Sequence, residues 1–565
     1  MALVPVTTVD RLPVGGIRML RAAGRRLALV RTADGVFALD NACPHEGYAL
    51  TQGEVKGGEL TCAWHNWKFR LADGRCVLGE EDVRSYPVTI AGGEVLVDVT
   101  DPDPAELRPK LLASLRSAID NGYVGQTARD VVRLLRAEAD PGELVWEAVA
   151  WGAPRAEFGW GHALASATDC LAILARYDGD ARALPIVQAI AGVAEVERRR
   201  PLRPAPEPAR TLPADPASEF RRLVEDERGD EAEALLRGGI EAGAGAGELR
   251  RWLLGAVSDH HLGFGHAAIY TQKAFALLDA LGEDRAATVL PHLVPAVVVA
   301  TREDKLPPMR PFLRALAGAD LGALAEAPPA DEWGDDGRLR GALLGRDKAA
   351  PAVEALRALR EGAGVERLLD TVVLAASERL LRYDPSVDFD PATDFGWLDI
   401  THSLTYADAA RWAWRAEPGP DTLRLALYTV FHVHDSGRSE WRRGAPVETP
   451  EVEPATGDLR AEVEAGRPDA AVAVAMGTPV DEAAAALERA SLADRAGSFI
   501  ITAHLIKTAH AAAREAALTG SPLPVAGTAR FMASPRLERF VSSSTWRAID
   551  FLSGRGPADL DGEAG

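Results

Sequence analysis

The sequence predicts an α+β multidomain protein: a small antiparallel β domain followed by a large all-α domain with internal histidine-bearing helical repeats. Three observations predict it. Residues 17 to 99 are short β-type runs separated by Gly, Asn and Asp; beyond residue 109 the texture turns to long Ala/Leu/Arg/Glu segments of helical period; and a Gly-aromatic-Gly-His unit recurs in the helical part. A chain of 565 residues is also too long for one hydrophobic core. The expected layout is a β domain over 1–103, a first helical part over 104–200, a Pro-rich linker over 201–216 and a second helical part over 217–565.

The β domain is built from RRLALVRTADGVFALDNAC, GELTCAWHNWKFRLADGRCVL and SYPVTIAGGEVLVDV. Each ADG or AGG is a hairpin signal, because Gly and Asp accept the backbone angles of tight turns. Set among these runs are Cys43-Pro44-His45 and, after sixteen intervening residues, Cys62-Ala63-Trp64-His65. Two thiolates and two neutral imidazoles on a small β scaffold suit either a tetrahedral zinc or a [2Fe-2S] cluster, and spacing alone leaves both open. The surrounding CPHEGYAL and CAWHNWKF resemble the two cluster-binding loops of Rieske ferredoxins and Rieske oxygenases, with a proline after the first Cys and aromatic residues around the second His.

That resemblance implies a [2Fe-2S] cluster held by Cys43, His45, Cys62 and His65. Ala63 and Asn66 depart from it, standing where Pro and Gly are common. The loops also lack the extra cysteine pair of the respiratory type. The resemblance therefore implies the lower-potential ferredoxin and oxygenase branch, which passes electrons to an oxygen-activating partner.

After the acidic hinge DPDPAELRP (101–109) the helical part begins, interrupted by PLRPAPEPARTLPADP (201–216), whose prolines rule out helix and central strand. The repeat is clearest in EFGWGHALASATDCLAILARYDG (157–179) and HLGFGHAAIYTQKAFALLDALG (261–282). In both, Gly-aromatic-Gly-His opens an amphipathic helix, with Tyr270, Ala274, Leu277 and Leu281 forming the apolar stripe of the second. Two weaker copies are DFGWLDITHSLTYADAARWAWRAEPG (394–419) and SFIITAHLIKTAHAAAREAALTG (498–520). The intervals from His162, His266, His402 and His504 to Gly179, Gly282, Gly419 and Gly520 are 17, 16, 17 and 16 residues, so the four histidines occupy nearly equivalent places.

A histidine beside a helix start is commonly a capping or packing residue, but recurrence at four places points to a shared non-haem iron site. The positive end of the helix dipole would keep each imidazole neutral and able to ligate. The same dipole opposes a bare cation, so Glu157, Asp259 or Asp399 is expected nearby. His261 and His434 are candidate additional ligands among the extra histidines His260, His261, His432 and His434, with Asp435 placed to orient His434. His292 and His510 read as structural. Trp160, Phe264 and Trp397, just ahead of repeat histidines, predict an aromatic-lined pocket.

The G-x-GH-A openings, ITHSLTYADAARW and AHLIKTAH are similar to segments of questin oxidase-like proteins, a helical, histidine-rich group. That resemblance implies oxygen-dependent, Baeyer-Villiger-like ring opening of an aromatic polyketide. His261 and His266 also match the four-residue separation of the histidines in the iron domain of Rieske oxygenases. That domain is a β-rich helix-grip, and the strand texture it needs is missing here.

A net charge of -20 argues against phosphate-backbone binding. Four cysteines, two of them in the motif, suit a reducing compartment. With neither a signal-peptide pattern nor an apolar run long enough to span a bilayer, the expectation is a soluble cytoplasmic protein with no nucleic-acid or membrane partner. Taken together, the expected function is a Rieske-coupled oxygenase oxidising a small organic substrate with O2 and supplied by an NAD(P)H-dependent or ferredoxin reductase. A Rieske ferredoxin fused to a helical docking scaffold, and a hydrolytic zinc enzyme with a vestigial cluster domain, are the alternatives.

Overall fold

A computed structural model of the chain describes residues 3–45, 47–384, 396–441, 447–494 and 497–534. The chain divides into two compact units, Met1–Pro141 and Gly142–Gly565. The first carries all the named strands, and the second is helical.

In the first unit β1 (Leu3–Thr8), β2 (Ile17–Ala22), β3 (Arg25–Arg31), β4 (Val36–Asp40), β5 (Glu54–Lys56), β6 (Glu59–Thr61), β7 (Lys68–Arg70), β8 (Cys76–Leu78), β9 (Ser85–Tyr86), β10 (Val88–Ala91) and β11 (Glu94–Asp98) form three antiparallel sheets. Their orders are β1-β11-β10, β2-β3-β4-β9 and β5-β6-β7-β8. The hairpin signals act as expected. Thr32 N–H bonds to Gly35 O (2.9 Å) between β3 and β4, and Gly92-Gly93, both with positive φ, turn β10 into β11.

β3 is buried on both faces. Leu27 and Leu29 pack with Val95, Val97 and Tyr86 in one cluster, while Ala28 and Val30 pack with Leu50, Leu60, Trp67 and Phe69 in another. Period-two alternation thus fills two cores from one strand, and the second core also contains Cys43 and Cys62.

Helices α1 (Pro104–Asn121) and α2 (Val124–Arg136) belong to this unit rather than to the helical body. Asp103 caps α1 by accepting from Ala105 N–H (2.8 Å), with Pro104 at the first position. The buried Glu81 carboxylate binds Arg129 (2.6 Å) and Arg133 of α2, and Arg129 Nη1 donates to His45 O (3.1 Å). The hinge at 101–109 is therefore an intra-unit connection, and the unit boundary lies at Pro141.

In the second unit the helices that carry the predicted site histidines are α3 (His162–Ile173), α4 (His266–Leu281), α5 (Trp397–Ala416), α6 (Pro420–Asp435) and α7 (Phe499–Thr519). The Pro-rich 201–216 segment is non-helical up to Pro216, as expected, but it does not split the body. Arg203 N–H bonds to Pro154 O (2.7 Å), Ala209 N–H to Ala234 O (2.8 Å), and Arg203 pairs with Glu233 (2.7 Å), so the segment lies along the same unit.

The four repeat histidines are not structurally equivalent. His162 and His266 are the first residues of α3 and α4, after Gly161 and Gly265. His402 and His504 sit in the second turns of α5 and α7, beyond the reach of the helix N-terminus. Gly282 and Gly520 do cap α4 and α7, whereas α3 ends at Ile173 and α5 at Ala416, short of Gly179 and Gly419.

Candidate functional site

The first site lies in the loops β4–β5 and β6–β7. Each loop closes on its own cysteine: Cys43 N–H bonds to Tyr48 O (2.8 Å) and Cys62 N–H to Trp67 O (2.7 Å). The Cys43 and Cys62 side chains are buried side by side, while His45 and His65 stand outward with their Nδ1 atoms 3.0 Å apart. His45 stacks on Trp67 (4.9 Å, 21°), and Trp64 stacks on Tyr48 (4.1 Å, 14°).

Asn66, in the place where Gly is common, has φ +58. The loop needs a left-handed residue there, and Asn is among the few side chains that tolerate it. Burial pushes the Cys43 thiol up to about 12, so a bare thiolate is disfavoured. Two buried sulfurs on one side and two convergent imidazole nitrogens on the other fit a metal centre that neutralises the thiolates.

A family profile described as the Rieske [2Fe-2S] domain matches residues 2–87. The ferredoxin component of the p-cumate 2,3-dioxygenase system of Pseudomonas putida is 35% identical over 101 residues, 17% of this chain and 86% of the relative. The ferredoxin component of the naphthalene 1,2-dioxygenase system of Pseudomonas aeruginosa is 30% identical over 91 residues, 16% of this chain and 88% of the relative. The chain belongs to the Rieske [2Fe-2S] family. A third relative, the 4beta-methylsterol monooxygenase of Methylococcus capsulatus, is 34% identical over 117 residues, 18% of this chain and 32% of the relative. The chain thus spans about a third of that enzyme's length, and in all three cases the likeness concerns a sixth or so of this chain, the Rieske domain.

The second unit of this Rieske protein brings His162, His266, His402 and His504 together, although they are spread over more than 300 residues of sequence. His402 Nε2 is 2.9 Å from His266 Nε2 and 3.2 Å from His504 Nε2. The His162 ring centroid lies 4.8 Å from that of His266 and 4.4 Å from that of His504.

The tautomers follow from the neighbours. His402 Nδ1 donates to Leu398 O and His504 Nδ1 to Ile500 O, each at 2.7 Å, because a carbonyl can only accept. The Nε2 atoms of the neutral His402 and His504 rings therefore face each other as lone pairs. Burial holds all four imidazoles well below the ordinary histidine range, His266 at about 3. Neutrality thus comes from burial in all four, and the helix-dipole argument cannot extend to His402 and His504. Facing lone pairs without protons between them are repulsive, and a cation relieves that repulsion.

The carboxylates expected nearby are engaged elsewhere: Glu157 is exposed beside Arg200 (3.9 Å), Asp259 binds Arg221 and Arg424, and Asp399 binds Arg438 (2.9 Å). A lysine stands at the cluster instead. Lys507 Nζ lies 2.6 Å from His162 Nδ1, and burial pushes its ammonium down to about 7. Its spacing of three from His504 puts both on one face of α7, a signal legible in HLIK.

His261 lies in a second group, with Glu303 and His432, whose ligand atoms all fall within 4.8 Å of one another. Nothing in TREDK singles out Glu303 as a partner of these histidines. His434 is turned away from both groups: its Nδ1 faces Ala342 O (3.1 Å) and its ring packs on Trp441 (4.9 Å). Residues two positions apart on a helix are separated by about 200°, so α6 can offer His432 or His434 to one site but not both. Asp435 pairs with Arg438 (3.1 Å) and does not orient a ligand.

His260 binds Asp304 and Glu225, His292 contacts Arg203, and His510 binds Glu488, all as structural residues. Of the aromatic residues, Trp160 is core and donates to Val289 O (3.1 Å), Phe264 lines a cavity, and the Trp397 side chain lies outside the described residues. Among the described residues no helix is long and apolar enough to cross a membrane.

Proposed function

We propose that this protein is a Rieske-coupled oxygenase in which the [2Fe-2S] cluster supplies electrons to a non-haem iron held by His266, His402 and His504, with His162 at the same site. The observation that carries this reading is the convergence of the His266, His402 and His504 ε nitrogens at 2.9 and 3.2 Å in a buried place, with those of His402 and His504 unprotonated. Bound iron supplies the one-electron chemistry that a one-electron donor such as the cluster can feed. Leu398 O and Ile500 O fix the ligating tautomers, Tyr270 and Phe264 wall the site, and Lys507 Nζ holds a proton that it can exchange with His162 Nδ1.

The names of the relatives, components of aromatic dioxygenase systems and a sterol monooxygenase, support an organic substrate and O2. The likeness to questin oxidase-like segments favours an aromatic polyketide as that substrate. An NAD(P)H-dependent or ferredoxin reductase would reload the cluster.

Iron content and the reduced-state Rieske EPR signal of the full-length chain test this. More than two irons per chain, with one lost in His402→Ala and the Rieske signal unchanged, is the expected result. Two irons in both proteins would leave a Rieske ferredoxin on a helical scaffold.

A further inference from the structure

The second histidine group is built differently from the first and opens onto a cavity. His261 precedes the Gly263–Gly265 turn into α4, Glu303 follows the β-bridge between Leu262 and Arg302, and His432 lies on α6. Backbone bonds from Glu303 N–H to His261 O (2.8 Å) and from Gly263 N–H to Thr301 O (2.9 Å) latch the two loops together.

The Glu303 carboxylate is divided between two tasks. Its Oε1 accepts from Phe264 N–H (2.9 Å), a residue with φ +57, and its Oε2 lies against His261 Nδ1. The His261 and His432 rings stack at 5.4 Å and 21°. His261 is fully buried and His432 is 5% exposed, yet neither His261 Nε2 nor His432 Nε2 has a hydrogen-bond partner. Unsatisfied buried nitrogens of this kind call for a ligand.

Glu303 and His432 line a cavity of about 250 Å³ together with Phe264, Asp399, Asp435 and Arg438. Three carboxylates against one arginine give that wall a negative balance that favours a cation.

We propose that His261, Glu303 and His432 form a second metal site, for a first-row divalent transition ion, whose remaining coordination positions face the cavity. Two imidazoles and one carboxylate on one side of an ion leave positions for an exogenous oxygen-donor ligand, a donor set suited to iron(II), manganese, cobalt or zinc. Phe264 separates this site from the four-histidine one: its ring stacks on His402 (6.0 Å, 30°) and meets His432 edge-on (6.3 Å, 83°). The inference stands on its own residues and does not need the four-histidine site to hold iron.

The test is a cobalt(II) titration of the chelator-treated full-length chain, with metal equivalents counted by mass spectrometry and d–d absorption followed in parallel. The intact Rieske signal calibrates chain concentration. Glu303→Gln keeps an oxygen for Phe264 N–H and so preserves the loop; it and His432→Ala should each lose one cobalt per chain, while His402→Ala loses a different one. Wild-type stoichiometry and spectrum in both Glu303→Gln and His432→Ala would overturn the proposal. A single cobalt that is lost in His432→Ala but kept in His402→Ala would support this site and sink the oxygenase reading of the four histidines.

Discussion

At the scale of single residues, the Rieske loop turns on Asn66. Its φ of +58 makes a glycine neutral or mildly favourable and a β-branched side chain strained. Asn66→Gly should change stability by less than about 1 kcal/mol, and Asn66→Val should cost about 1–3 kcal/mol. Denaturant unfolding checks both, with the visible spectrum of the cluster as probe. Asp130 gives a pH effect. Burial pushes its carboxyl up to about 6, against the hydrogen bond from Ser114 Oγ (2.6 Å). Between about pH 4 and 6 the folded state binds more protons than the unfolded one, so this group makes stability fall as pH rises through that window and adds no further change above it. Asp130→Asn should remove that fall, adding about 1–3 kcal/mol above pH 6. A pH series of unfolding free energies with parallel wild-type and variant curves would refute it.

At the scale of elements, Gly265 decides where α4 starts. It has φ +86, and a Cβ there would overlap the Tyr406 ring, so Gly265→Ala must displace His266, the next residue. The expected outcome is a stability loss of about 2 kcal/mol or more with lower body metal content and an unchanged Rieske signal. Circular dichroism together with metal analysis reads all three. The aromatic and glycine spacing of GFGH makes this turn legible in the sequence. That His402 and His504 sit a turn inside their helices is not legible from the repeat, because their intervals of 17 and 16 residues to the following glycine match those of His162 and His266, which open their helices.

At the scale of the whole molecule, the first unit should be most stable as residues 1–141. A fragment ending at residue 103 leaves the buried Glu81 without Arg129 and Arg133, a loss on the order of 2 kcal/mol and several degrees in Tm. Melting curves of the two fragments decide it. If the cluster feeds the body, tethering makes that transfer intramolecular. The pre-reduced chain should then reoxidise in oxygen at a rate independent of protein concentration, and faster with body metal than without it. Metal-free chain and isolated first unit both reoxidising as fast as the intact metal-loaded chain would assign the body a non-redox role. The order of β and α regions, the hairpins and the two Cys/His loops were determined by the sequence alone, because each rests on neighbours within a few positions: a Gly-Gly turn, a Cys-Pro-His loop, a helical period. The convergence of four distant histidines, the facing of His432 rather than His434 toward His261, and the entry of Glu303 were decided only by the tertiary structure. Each of these depends on which face of a helix meets which partner across more than a hundred residues, and local pattern carries no record of that.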